Sequence, residues 1–313
     1  MVPSNPKIAW IGMGALGLLY AGALARDGVD MHLLFRSDYE AARTQGISVR
    51  SIRGDFHVPP AAFHAYRHSG DMPRCDLVII STKTTSNADL PDLIRPLVGP
   101  DTLILTLQNG MGNEEFLASH FGPDRILGGT AFVSVHRIAP ATADHQSSGR
   151  LAIGKLNAPP DDATRGVVRL LERTGFKIDL LESLKLGRWE KQLWNVPFNG
   201  LGAALLADTA VLLQTTWGTN LVRTIMQEVL AVARADGAAL GRDMIDSKIS
   251  YTLKMGAYRT SMQLDREAGR PLELASIIDP VLHKSLKLGV STPNLNILQS
   301  QLHTVDMARN RSH

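Results

Sequence analysis

The chain has 313 residues, 44% apolar and 20% charged, a balance that suits a folded protein and excludes a disordered or fibrous one. Lys and Arg total 33 against 30 Asp and Glu, and the resulting charge of +3 is too small for the concentrated basic face that nucleic-acid binding needs. The single cysteine, Cys75, excludes an internal disulfide framework and a cysteine-rich zinc site.

From Ile8 to Ala25 the chain runs 18 residues without a charge. Length alone would also suit a signal or a membrane anchor. The internal order argues for something else. Ile8–Ile11 reads as a buried strand, Gly12-Met13-Gly14-Ala15-Leu16-Gly17 is G-x-G-x-x-G, and Leu16–Arg26 reads as a helix. The first glycine permits a tight turn, the second leaves room for a pyrophosphate, and the third lets helix and strand pack closely. The helix N-terminus adds free N–H groups and its dipole. Gly12, Met13, Gly14, Ala15, Leu16 and Gly17 are therefore predicted to bind a dinucleotide. The segment is expected to be retained, in a cytoplasmic protein with no membrane partner.

The next strand, Met31–Phe35, runs into Arg36, nineteen residues after Gly17. A carboxylate there would hold the ribose of NAD. Arg36 suits a 2′-phosphate instead, with Ser37 as a further donor, so NADP(H) is the predicted cofactor. Asp38 follows two positions later. Strands are predicted at Asp76–Ser81 and Thr102–Leu107, with a helix over Asp89–Val98 between them. Continuous apolar runs suit strands buried on both faces of a parallel sheet. The loops Ser81-Thr82-Lys83-Thr84 and Gln108-Asn109-Gly110-Met111-Gly112 follow these strands, at the carboxyl ends where such sheets bind ligands. Lys83 is a candidate for phosphate or ribose and Asn109 for nicotinamide or substrate. Each also reads as a solvated loop residue. Arg125–Arg137 and Leu151–Gly154 are expected as strands at a sheet edge.

After about Ser183 long helical patterns take over, at Leu184–Leu206, Asn220–Leu240 and Met244–Gln263. Pro271 and Pro293 are placed in first helical turns, with Thr292 as N-cap of the second. The predicted class is α/β: a Rossmann-type, doubly wound, mostly parallel sheet over residues 1–182, then an all-helical substrate domain over 183–313. Lys191, Asn195 and Asn199 stand at i, i+4 and i+8 on one helical stripe, beside the apolar Trp194, Phe198 and Leu201. Two carboxamides and an amine in such a helix suit either a polar ligand or a solvated face. Pro197 should kink the helix or end its first section. Ser261 is a candidate for a substrate carboxylate, and Glu273 for a lysine or a ribose hydroxyl. No His-Glu-x-x-His is present and the ten His are scattered, so no catalytic metal is expected. The basic tail Met307–His313 is expected to fray.

Taken together, these motifs resemble the ketopantoate reductase family. The resemblance rests on the Gly12–Gly17 loop, Arg36, Ser81-Thr82-Lys83, the run Leu107–Asn113, Gly128–Ser134, the Lys191/Asn195/Asn199 helix, Thr260–Asp265 and Glu273. It implies an NADPH-dependent reductase with its site in a cleft between a Rossmann domain and a helical one. It further implies that Gly12–Gly17 and Arg36 hold the cofactor, with Lys83, Asn109 and Glu273 beside it. Lys191 would be the general acid, and Asn109, Asn195, Asn199 and Ser261 would contact a small 2-keto acid, 2-dehydropantoate in the family's own reaction. The chain departs from the family at Pro197, at Asn199-Gly200, at Asp208-Thr209 and between Ala275 and Pro280. A reductase of another branched 2-keto acid and a non-catalytic NADP sensor therefore stay open as alternatives. A homodimer is an expectation by analogy alone.

Overall fold

The computed structural model describes residues 5–309. The chain divides into two compact units. One holds the residues up to Asn109 together with Asn113–Leu184, and the other holds Gly110–Gly112 with the chain from Lys185 onward.

The first unit is a ten-stranded sheet: β1 (Lys7–Ile11), β2 (Asp30–Leu34), β3 (Ile47–Ser51), β4 (Phe56–Val58), β5 (His64–Tyr66), β6 (Cys75–Ile80), β7 (Val98–Thr106), β8 (Ile126–Ala139), β9 (Thr142–Lys155) and β10 (Ile178–Leu180). The order is β4-β3-β9-β8-β7-β6-β1-β2-β5, with β10 added to β9. Pairing is parallel except within β3–β4 and β8–β9. Among the described residues five α-helices accompany it: α1 (Ala15–Arg26), α2 (Tyr39–Gln45), α3 (Leu90–Ile94), α4 (Asn113–Phe121) and α5 (Asp162–Glu172). The charge-free run is explained by burial. Ile8–Ile11 are buried on both faces, and α1 buries every residue from Gly17 to Ala25. Among the described residues no helix is long and apolar enough to cross a membrane.

Register decides where the loops emerge. Ile11 pairs with Leu34 and with Ile80, and Ile80 pairs with Thr106. Four parallel strands thus end level, and the loops that begin at Gly12, Phe35, Ser81 and Leu107 leave the sheet along one edge.

Several sequence expectations need correction. β8 and β9 form a long antiparallel ribbon inside the sheet, not at its edge, because the short β3–β4 hairpin pairs beyond β9. That hairpin closes on α1, where Gly22 faces Ile47, Phe56 and Val58. The helix expected over Asp89–Val98 is α-helical only from Leu90 to Ile94. Pro96 then lies in a 3₁₀ turn, where its lost N–H costs little.

The second unit is helical: α6 (Leu184–Leu205), α7 (Thr209–Leu213), α8 (Thr216–Ala235), α9 (Asp243–Met255), α10 (Ser261–Glu267), α11 (Leu274–Ile277), α12 (Asp279–Leu288) and α13 (Pro293–Arg309). Its core gathers Trp189, Leu193, Phe198, Val229, Ile277 and Leu298. Here too the boundaries differ from expectation. α8 stops at Ala235, two residues before Gly237 at φ 87°. The segment Met244–Gln263 is two helices, parted at Gly256, which caps α9 at φ 71°. Pro271 lies in an irregular stretch before α11, not in a helical turn. Pro293 does open α13, but the helix's first N–H groups are met by Glu228, whose carboxylate accepts from Asn294 N and Leu295 N. The Thr292 hydroxyl pairs instead with Ser285. α6 runs unbroken through Pro197. In the basic tail, Met307–Arg309 are helical, and residues 310–313 lie outside the described residues.

Candidate active site

In the sheet unit, the three glycines of the first loop do different work. Gly12 sits at φ +100°, and a Cβ there would lie 2.6 Å from Thr82 N and 2.7 Å from the Ser81 carbonyl carbon. Gly17 approaches the Gly12 carbonyl oxygen, 2.5 Å from where its Cβ would be. Around Gly14 there is nothing within 4 Å of a would-be Cβ. This open cradle lies at the N-cap of α1, where no side chain caps the helix and its first turn carries no acid. A phosphate group fits such a place, because it accepts from the helix's uncapped N–H groups. Trp10 Nε1 donates to Ser81 Oγ at 2.8 Å, and Ser81 Oγ donates to the Gly12 carbonyl at 2.8 Å. The two loops are thereby pinned together.

Arg36 is exposed at the end of the second strand. The nearby carboxylate does not compete with it. Asp38 is buried, accepting from Ala141 N at 2.9 Å, Ser37 Oγ at 2.8 Å and Arg137 Nη1 at 2.7 Å. Burial alone would raise its pKa, but these donors together hold the carboxyl below the ordinary range. The Ser37 hydroxyl, expected to serve a ligand, is spent on Asp38. Arg137, from β8, is a second cation beside this strand end.

Lys83 is exposed and precedes a 3₁₀ turn. Asn109 is held by a partly buried amide network. Gln108 Nε2 donates to Thr82 Oγ1 and to Asn87 Oδ1, Asn87 Nδ2 donates to Asn113 Oδ1, and Asn113 Nδ2 donates to the Asn109 carbonyl. This network fixes the loops after β6 and β7 to the start of α4. Gln108, Asn87 and Asn113 are positioning residues that sequence spacing did not single out.

In the helical unit, the stripe of α6 has a distinctive chemistry. Asn195 and Asn199 are 2% and 3% exposed, yet Asn195 Nδ2 and Asn199 Oδ1 have no hydrogen-bond partner. Gln192, one residue past Lys191, donates to the Ile277 carbonyl at 2.8 Å while its Oε1 is left unmet. Buried amide atoms without partners cost about 1–3 kcal/mol each, so a stripe of them favours a polar ligand over a solvated face. Lys191 packs over the Trp194 ring, 5.9 Å from its centroid. Its ammonium is pushed down to about 7, first by burial and then by the charges of Lys248 and Arg188.

α10 and α11 both reach this helix. Gly202 of α6 faces the Thr260 hydroxyl, 3.1 Å from a would-be Cβ, and Thr260 caps α10, whose first residue is Ser261. Glu273 is buried and opens α11, the helix whose Ile277 carbonyl meets Gln192. Gly110–Gly112 join the same unit: Met111 N donates to the Ser276 carbonyl at 2.8 Å, and Gly110 lies so close to Ser276 that a Cβ would fall 2.2 Å from that oxygen.

Two family profiles match the chain, ketopantoate reductase PanE/ApbA over residues 8–158 and its C-terminal counterpart over residues 183–306. The chain belongs to the ketopantoate reductase family. It is 38% identical to the 2-dehydropantoate 2-reductase of Nostoc sp. over 98% of this chain and 97% of that one. A solved 2-dehydropantoate 2-reductase from Geobacter metallireducens superposes with a TM-score of 0.92 at 40% identity, covering 95% and 99% of the two chains. One from Methylococcus capsulatus gives 0.88 at 32% identity, covering 97% of each. Membership makes the protein an oxidoreductase that works with a nicotinamide cofactor.

Within the ketopantoate reductase frame, the departures noted in the sequence take packing roles. Leu298 fills the space beside Gly200, 2.7 Å from a would-be Cβ. Asp208 caps α7 by accepting from Val211 N, and the Thr209 hydroxyl donates to the Gly256 carbonyl. Asp279 accepts from Gln299 and pairs with His303 of α13. Arg188 and Lys248, whose charges add to burial in lowering the Lys191 pKa, were missed by spacing. Arg188 was within reach of it, being three residues before Lys191 on the same helical face.

Proposed function

We propose that the protein reduces 2-dehydropantoate to pantoate with NADPH. The observation that carries this reading is the α6 stripe, where a lysine of lowered pKa stands in line with two buried carboxamides that lack partners. Gly12–Gly17 would hold the pyrophosphate, Arg36 the 2′-phosphate, and Lys83, Asn109 and Glu273 the rest of the dinucleotide. The bound cofactor supplies a hydride to the keto carbon. Negative charge then grows on the carbonyl oxygen, where protonated Lys191 would stabilise it and deliver the proton. Asn195 and Asn199 would bind the substrate's polar groups, Asn109 would orient the reacting carbonyl, and Ser261 would hold the carboxylate.

The preference for NADPH is supported by Arg36 with Arg137 close by and by an Asp38 that is neutralised internally. Arg36→Glu is expected to weaken NADPH by roughly 10–100-fold in KM, the worth of one lost charge-assisted contact, with far less effect on NADH. Unchanged discrimination between the two would remove Arg36 from the phosphate site.

A panel of 2-keto acids with NADPH, ranked by kcat/KM, tests the substrate. 2-Dehydropantoate should rank first. A higher value for another branched keto acid would replace the proposed substrate while keeping the reaction. Binding of NADPH with no turnover of any keto acid would overturn the reductase reading.

A further inference from the structure

One cluster of metal-ligating side chains lies away from the dinucleotide end of the sheet. Asp30 and His32 are first and third in β2, so their side chains share a face, and His64 opens the edge strand β5 opposite His32 in parallel register. The two imidazole rings stack at 4.7 Å. Asp30 Oδ1 lies 3.2 Å from His32 Nε2 and 3.6 Å from His64 Nε2, and the three ligand atoms fall within 4.8 Å of one another.

We propose that Asp30, His32 and His64 form a binding site for one first-row divalent transition-metal ion, structural rather than catalytic. Three observations carry it. The spacing is right: ligands about 2.0–2.1 Å from a tetrahedral ion stand about 3.3 Å apart, which both Asp30 distances bracket. His32 is only 5% exposed, and its Nε2 has no hydrogen bond despite the carboxylate beside it. This buried nitrogen and the Asp30 oxygen stand 3.2 Å apart, close enough to share one ion. Finally, His32 Nδ1 is 2.9 Å from Tyr66 Oη. With Nδ1–H donating to that oxygen, Nε2 keeps its lone pair outward, the outer-partner arrangement usual for ligating histidines.

The two stacked rings must converge for the third contact. His64 can do this by turning about its side-chain bonds, because its side chain is 61% exposed. Water would complete the coordination. Lys7, the register partner of Asp30 on β1, forms no ion pair with it among the described residues, although its charge reaches His32. An ion here would join the edge strand β5 to β2. The site is at the amino end of β2, whereas Arg36 follows its carboxyl end, so the reductase chemistry does not depend on it.

The test uses the full-length protein without an affinity tag, stripped with chelator and titrated calorimetrically with Zn²⁺, then with Co²⁺ followed by absorbance. One equivalent should bind. His64→Ala and Asp30→Asn should each weaken it at least tenfold with NADPH-dependent turnover unchanged, while His57→Ala, an exposed histidine elsewhere, should leave it intact. Absence of saturable binding, or equal loss in His57→Ala and His64→Ala, would overturn the site and leave the cluster a histidine–carboxylate ion pair.

Discussion

Lys191→Ala is expected to lower kcat by about 10²–10⁴-fold, the range of general acid–base catalysis, while NADPH still binds. The lowered pKa gives this prediction a second readout. A group near 7 is protonated below that pH and neutral above it, and keto-acid reduction needs the protonated form. The kcat/KM for reduction should therefore fall as pH rises through about 7, and that for oxidation of the hydroxy acid should rise across the same interval. Lys191→Arg separates charge from proton transfer. Its guanidinium keeps the charge but gives up no proton, so it should remain slow and lose the transition near neutral pH. Turnover like the parent enzyme's in Lys191→Ala would end the assignment.

Gly12→Ala should be among the most damaging glycine substitutions in the sheet unit. Two penalties combine there: a side chain at φ +100°, and a Cβ 2.6 Å from the backbone nitrogen of Thr82. Each is worth about 1–3 kcal/mol, so a loss of about 2–6 kcal/mol in unfolding free energy is expected, with NADPH affinity reduced by tenfold or more. Gly28→Ala is the control. Gly28 sits at φ +78° with nothing within 4 Å of a would-be Cβ, so it reports backbone strain alone. Denaturant unfolding and NADPH titration of the two variants measure the difference. If Gly12→Ala proves no worse than Gly28→Ala, the close approach of the Ser81–Thr82 loop is not what requires glycine.

How much of this was legible in the sequence follows from the physics of each element. Buried parallel strands read clearly, since a strand covered on both faces must be apolar throughout, as in Ile8–Ile11. The β3–β4 hairpin did not read, because its strands are short and part-exposed and gain stability from α1 and β9. The polar ribbon of β9 before Leu151 was hidden for the same reason: its pairing partner, not its composition, makes it a strand. Lys191, Asn195 and Asn199 were visible as a stripe because helical spacing alone aligns them. Their electrostatics were not, since Lys248 comes from α9, 57 positions along, and no periodicity in α6 points to it. Asp38 shows the reverse case. It stands two positions after Arg36 as an unassigned carboxylate in the sequence, and only the bonds from Ala141 and Arg137 reveal that its charge is already answered.

The three residues Gly110–Gly112 carry a consequence for anyone dividing this protein. They are encoded between β7 and α4 but pack with the helices. No single break in the gene therefore yields two self-sufficient halves. A fragment ending at Leu184 would keep Met111 without the carbonyl of Ser276, and the complementary fragment would lack the glycine that Ser276 is shaped to admit. Reassembly of the two fragments after co-expression, rather than either one alone, is the form in which a split version of this enzyme should be sought.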